Sequence, residues 1–290
     1  MDFLLICTTD FKRLRRDVLD RMVGSVAAAA GARPEDRFVL EFVPVNCTKA
    51  EADAAFADLP PFVRVTPVVE RLSLSAGRNV ALRRAITENE VPRDGIVAFP
   101  DDDCWYPDGL LTGLAALFRM HAELDFWFCR YLSAPREAPD LARLPVHPAK
   151  AGDVVRFASS TTMFFRGRAV LAAGLFDETL GLGTKIASGE DTQYVLRVLQ
   201  VARLIVFRNE PLVGHRDPSP AHVAQYYPGA LLALAQTLTM RTSIAFGRKI
   251  LVGVYLVLVG RMGFGKFVAA LRLVATNGFA TRSWAGKNGL

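Results

Sequence analysis

Cysteine is scarce. Four occur in 290 residues, Cys7, Cys47, Cys104 and Cys129, and no two have CxxC spacing. That argues against a zinc site. Three of them, Cys7, Cys104 and Cys129, lie in apolar surroundings and read as buried reduced thiols, which suits the cytoplasm. Long hydrophobic runs are missing too. The most apolar stretch, residues 250–259, is about half of the roughly 20 residues a spanning helix needs. The N-terminus, Met1-Asp2-Phe3-Leu4-Leu5-Ile6-Cys7, has no basic segment before a short apolar run, and so reads as a strand rather than a signal peptide. No internal repeat is visible.

Acids are absent from one region. Residues 221–290 hold eight cations (Arg241, Arg248, Lys249, Arg261, Lys266, Arg272, Arg282 and Lys287) and no Asp or Glu. The other 220 residues hold 27 cations against all 29 acids, so the net charge of +6 belongs to the tail. The tail is also strongly apolar, which favours an anionic membrane surface over nucleic acid. The alternative is that its helices pack on the domain or form a dimer interface. Two units follow: 1–220, and a basic, apolar helical extension over 221–290.

At 51% hydrophobic and 22% charged residues, the chain can build a sizeable core. Strands are predicted at 3–7, 37–45, 62–69, 95–99, 126–132, 161–165 and 204–207. Helices are predicted at 11–30, 49–58, 76–89, 108–122, 168–173 and 190–201. The alternation argues for an α/β fold with a largely parallel sheet. Residues 133–153, with four prolines, read as a loop, and a loop of that length is usually functional or mobile.

Four groups of residues carry chemistry. Asp101-Asp102-Asp103 follow the apolar run Ile96-Val97-Ala98-Phe99-Pro100. Like charges crowded at a strand end repel unless a cation sits among them. A divalent ion bridging to phosphate is the usual answer. Asp101 and Asp103, spaced i, i+2, point the same way, while Asp102 faces elsewhere; the bland reading is a solvated acidic turn. Next, Ser188-Gly189-Glu190-Asp191-Thr192 opens a helix. Its two acids are either helix-dipole partners or a general base. Ala76-Gly77-Arg78-Asn79 offers donors to a phosphate or a base. Last, His215 follows a late strand and is either a structural residue or a metal ligand.

Taken in order, and with Gly174-Leu175-Phe176-Asp177-Glu178 between them, these segments resemble a GT-A glycosyltransferase of family 2 over about residues 3–217. The resemblance implies a Rossmann-like, mixed but mostly parallel sheet flanked by helices, and a nucleotide-sugar donor with Mn²⁺ or Mg²⁺. Thr8 and Asn46 match positions near the nucleotide base, although the family usually has Asp where Asn46 stands. Arg78 and Asn79 match the segment against the nucleotide. Asp101 matches the ribose or metal-side acid, Asp102 its neighbour at the donor, Asp103 the metal ligand and His215 a late ligand. Asp191 matches the catalytic base, with Glu190 beside it. The implied activity is inverting transfer from a UDP-sugar, favoured by family frequency, to a hydroxyl of a saccharide or lipid-linked acceptor in bacterial polysaccharide or glycolipid synthesis. The cysteines and the basic, apolar tail point to the cytoplasm, peripheral on the inner face of the membrane. The alternative is a non-catalytic nucleotide-sugar-binding or scaffold protein.

Overall fold

The computed structural model describes residues 1–217 and 220–278, the side chains of 220–222 and Arg241 excepted. Arg282 and Lys287 of the basic tail therefore lie outside the described residues.

One seven-stranded sheet organises the chain. Its strands are β1 (Asp2–Asp10), β2 (Arg37–Val45), β3 (Val63–Val65), β4 (Ile96–Ala98), β5 (Leu124–Leu132), β6 (Met163–Arg166) and β7 (Leu204–Gly214). Their spatial order is β3-β2-β1-β4-β6-β5-β7. All neighbours are parallel except β6, which runs antiparallel to both β4 and β5. The sheet is thus mixed and mostly parallel. Strand β1 is buried on both faces, as a central parallel strand must be, and reads as an apolar run rather than an alternation. Side-chain alternation still sorts it. Phe3, Leu5 and Cys7 meet helices α1 (Arg16–Ala32) and α4 (Leu110–Met120), while Leu4 and Ile6 face α3 (Leu74–Thr87), α6 (Gly167–Ala173) and α7 (Glu190–Val201).

Several predicted elements differ. The strand expected at 62–69 forms only over Val63–Val65, the strand expected at 204–207 runs on to Gly214, and the helix expected at 49–58 ends sooner as α2 (Lys49–Ala55). The helix expected over 11–30 starts as a 3-10 turn, Phe11–Arg13, because the Asp10 carboxylate accepts from Lys12 N; α1 begins only at Arg16. The loop expected over 133–153 contains a 3-10 turn, Leu141–Arg143, and its end becomes a helix, α5 (Ala151–Phe157). The strand expected at 161–165 begins as a buried 3-10 turn, Ser160–Thr162, and pairs only from Met163.

The tail folds as α8 (Pro220–Gln225), α9 (Tyr227–Gln236), α10 (Met240–Leu258) and α11 (Phe264–Asn277). It is not a loose appendage. Tyr227, Leu231 and Leu232 of α9 form a third core with Leu180 of the preceding unit, closed from outside by Leu256 and Phe267. The contact is backbone-close at two glycines. A Cβ on Gly189 would stand 2.4 Å from Gly229 O, and one on Gly229 would stand 2.2 Å from Ser188 O. Gly189 also has φ +95°, where side chains strain.

Because Gly189 is the N-cap of α7, α9 braces the start of that helix. Gly189→Ala is expected to destabilise the protein by roughly 1–3 kcal/mol or more, read from the urea midpoint. An unchanged midpoint would show that the two backbones do not meet as described.

Candidate active site

Every group singled out in the sequence comes to the C-terminal edge of the sheet, where β1, β4 and β7 end. Strand β4 stops at Ala98, so Asp101–Asp103 sit just past it; β7 ends at Gly214 and delivers His215 beside them. Gly214 is close against Trp105, which shares a backbone pair with it at 2.9 and 2.8 Å. That pairing fixes the acids and the histidine in one frame.

Oxygens of Asp101 and Asp103 and a ring nitrogen of His215 lie within 4.8 Å of one another. His215 Nδ1 is 3.1 Å from the Arg216 carbonyl oxygen, which can only accept. With its proton on Nδ1, the ring would donate to that carbonyl and leave Nε2 a lone pair for a cation. That Nε2 is buried without a hydrogen-bond partner, 3.0 Å from Asp103 Oδ1 and 3.8 Å from Asp101 Oδ2. A lone pair facing two carboxylates is repulsive in isolation and favourable around a cation. Two hard oxygens with one imidazole nitrogen fit Mn²⁺ and, less readily, Mg²⁺. Tyr131 packs edge-on against the imidazole, ring centroids 5.0 Å apart.

Asp103 carries two further cations. Its Oδ2 is 3.7 Å from Arg15 and 3.8 Å from Arg216. Burial pushes its pKa up, but a ring proton on Nε2 of His215, when that nitrogen holds no cation, and the two arginines outweigh it and hold the carboxyl below its usual range. Asp101 goes the other way: burial raises it, and Arg78 offsets only part of the rise. Asp102 turns aside and accepts from the Thr9 hydroxyl; burial raises it as well.

Arg78 is fully buried at the centre of the site. Nη2 donates to Asp101 Oδ1 at 3.1 Å and Nη1 to Asp191 Oδ1 at 2.9 Å. The second oxygen of Asp191 accepts from Ser160 N at 2.8 Å. So one guanidinium ties the metal-side acid to the expected base, and the turn at Ser160–Thr162 fixes the base from the other side. Arg78 stacks near Phe176, 5.3 Å from the ring centroid. Asn79 sets that ring: its amide accepts from Phe176 N at 2.8 Å and donates to Phe176 O at 3.0 Å and to Glu178 at 2.8 Å.

The residues expected at the donor have protein partners of their own. Arg78 and Asn79 are both buried, and their side chains are held by Asp101, Asp191, Phe176 and Glu178. The Thr8 hydroxyl donates to Val43 O, into the sheet, and Thr9 supplies the hydroxyl at the acids. Asn46 adopts a left-handed turn, φ 58°, and donates to Asp10 Oδ1 at 3.2 Å, which links the ends of β1 and β2. Glu190 is buried with its side chain against Gly181. Arg15, Arg216, Thr9, Tyr131 and Ser160 are site residues that reading the sequence missed. Only Arg216 had a signal, its place beside His215.

No family model matches the sequence, and no curated protein does. Solved structures do match. Staphylococcus aureus TarS 1-349 in complex with UDP-GlcNAc has a TM-score of 0.58 at 16% identity over 90% of this chain and 72% of its own. A longer TarS structure scores 0.56 at 15% identity over 90% of this chain, which spans 43% of that longer chain. The mannosyltransferase PcManGT from Pyrobaculum calidifontis, in complex with GDP-Man and Mn²⁺, scores 0.55 at 15% identity over 95% of this chain and 75% of its own. The chain has the GT-A glycosyltransferase fold.

Burial raises the Glu190 carboxyl to about 7, and the adjacent Asp191 adds to the rise. A carboxyl raised in the folded state stabilises the protein fully below its unfolded value and loses that contribution as pH climbs through about 7. Glu190→Gln is therefore expected to exceed the wild type in stability at pH 8 by of order 1–3 kcal/mol. The advantage should fade toward pH 5. Urea midpoints at both pH values check it, and a pH-independent difference would contradict it.

Proposed function

We propose that the protein is a metal-dependent, inverting glycosyltransferase of the family-2 type, moving a sugar from a nucleotide diphosphate donor to an acceptor hydroxyl. The observation that carries the proposal is Arg78: a buried cation holding Asp101, on the metal side, and Asp191, the base, in one rigid unit. The structural neighbours, one in complex with UDP-GlcNAc and another with GDP-Man and Mn²⁺, support a nucleotide-sugar donor. A UDP-sugar remains the donor expected for this chain.

Asp103, Asp101 and His215 would hold the cation. A cation held there would supply positive charge to offset that growing on the departing diphosphate. Arg15 and Arg216, both largely exposed, stand over the outer oxygen of Asp103. Exposed ion pairs at such distances add little to stability, and guanidinium forks suit phosphate oxygens, so these side chains are placed to take the diphosphate as well. Asp191, fixed by Arg78 and Ser160 N, accepts the proton of the acceptor hydroxyl as that oxygen attacks the anomeric carbon. Glu190 supports this base from behind. A saccharide or lipid-linked acceptor suits the hydroxyl chemistry.

The division of labour is testable. Asp191→Asn should keep Mn²⁺-dependent binding of a nucleoside diphosphate in calorimetry and lose transfer by about 10²–10⁴-fold. Asp103→Ala and His215→Ala should lose the Mn²⁺ dependence of that binding. Equal loss of nucleotide affinity in all three variants would contradict the assignment.

A further inference from the structure

Helix α10 has two unlike faces. One is built into the protein. Gly253 is buried where Tyr227 and Phe267 close on it, Leu256 belongs to the third core, and Tyr227 Oη donates to Lys249 O at 3.1 Å. The other face has no partner among the described residues, and it is apolar. Met240, Ile244, Leu251, Tyr255 and Leu258 on α10, with Phe264 opening α11, are each more than half exposed. Ile244, Leu251 and Leu258 are seven residues apart, so they share one stripe along a helix about 28 Å long. Exposed apolar patches of this extent mark interaction surfaces.

We infer that this face docks on an anionic lipid surface, with α10 lying in the plane of the membrane. Charge decides between lipid and a second copy of the chain. Arg248 is exposed within the stripe, Arg261 is exposed in the turn after α10, and Lys266 is exposed in the first turn of α11. Residues 220–278 contain no Asp or Glu. A two-fold pairing of this face with itself would bring those cations toward their own copies with no acid to answer them. An anionic leaflet answers them all, and its acyl boundary takes the apolar stripe. None of the described helices is long and apolar enough to cross a membrane, which fits a helix lying flat. The inference does not rest on the chemistry of the cleft.

Truncation of 221–290 cannot test this, because α9 belongs to the core. Exposed positions can. Flotation of the full chain with phosphatidylcholine vesicles containing phosphatidylglycerol should recover the wild type, and vesicles of phosphatidylcholine alone should recover far less. Leu251→Glu/Leu258→Glu should lose vesicle binding at least tenfold, with an unchanged thermal midpoint. Arg261→Gln/Lys266→Gln should weaken anionic-vesicle binding by about fivefold for each cation removed. Absence of wild-type binding, or equal binding by wild type and Leu251→Glu/Leu258→Glu, would overturn the inference. So would a concentration-dependent dimer in sedimentation that Leu251→Glu/Leu258→Glu dissolves while vesicle binding persists.

Discussion

One buried cation holds the site together. Arg78 is inaccessible to solvent, so its charge is tolerable only because Asp101 and Asp191 answer it from opposite sides. Burial depresses a guanidinium, but the two carboxylates outweigh it and keep Arg78 charged. Removing one partner of a buried charge network typically costs about 3–5 kcal/mol. The same geometry sets the spacing between Asp101 and Asp191, so stability and the proposed chemistry rest on one side chain. Asn79, Phe176 and Ser160 are its supports, and each fixes something that touches Arg78 or its partners.

Around that unit the sheet divides the work. Strand β4 ends where the acids begin, and β7 ends where the histidine is needed. The antiparallel β6 lies between β4 and β5, and the turn that precedes it supplies the Ser160 amide to Asp191. The tail contributes from behind. Gly189 and Gly229 allow α9 to approach the start of α7, so the helix that carries Glu190 and Asp191 is seated on the C-terminal core.

Much of this was legible in the sequence because charge and period are local signals. Three acids after an apolar run announce a cation. The lone GEDT segment is ambiguous alone, but in order with Ala76–Asn79 and residues 174–178 it is specific, and the structure shows why: the segments touch. What stayed hidden depends on pairing between distant residues. Burial of Arg78 and Asn79 is not written in their types, since polar residues in a loop-like motif read as ligand contacts. Thr8 and Thr9 differ only in the side of β1 they occupy, and a register error of one exchanges them. Arg15 and Arg216 are 201 positions apart, and nothing local marks either as a neighbour of Asp103. The tail shows both limits: its composition indicated a surface, but not that half of it completes the core.

The central claim is that Asp191 and a metal-held donor stand on opposite sides of the anomeric carbon, joined by Arg78. The most direct measurement is the anomeric configuration of the glycosidic product, read by proton NMR from its anomeric coupling. An α-linked donor should give a β-linked product. An α-linked product would contradict the account, because Asp191 would then not be activating the acceptor for in-line displacement.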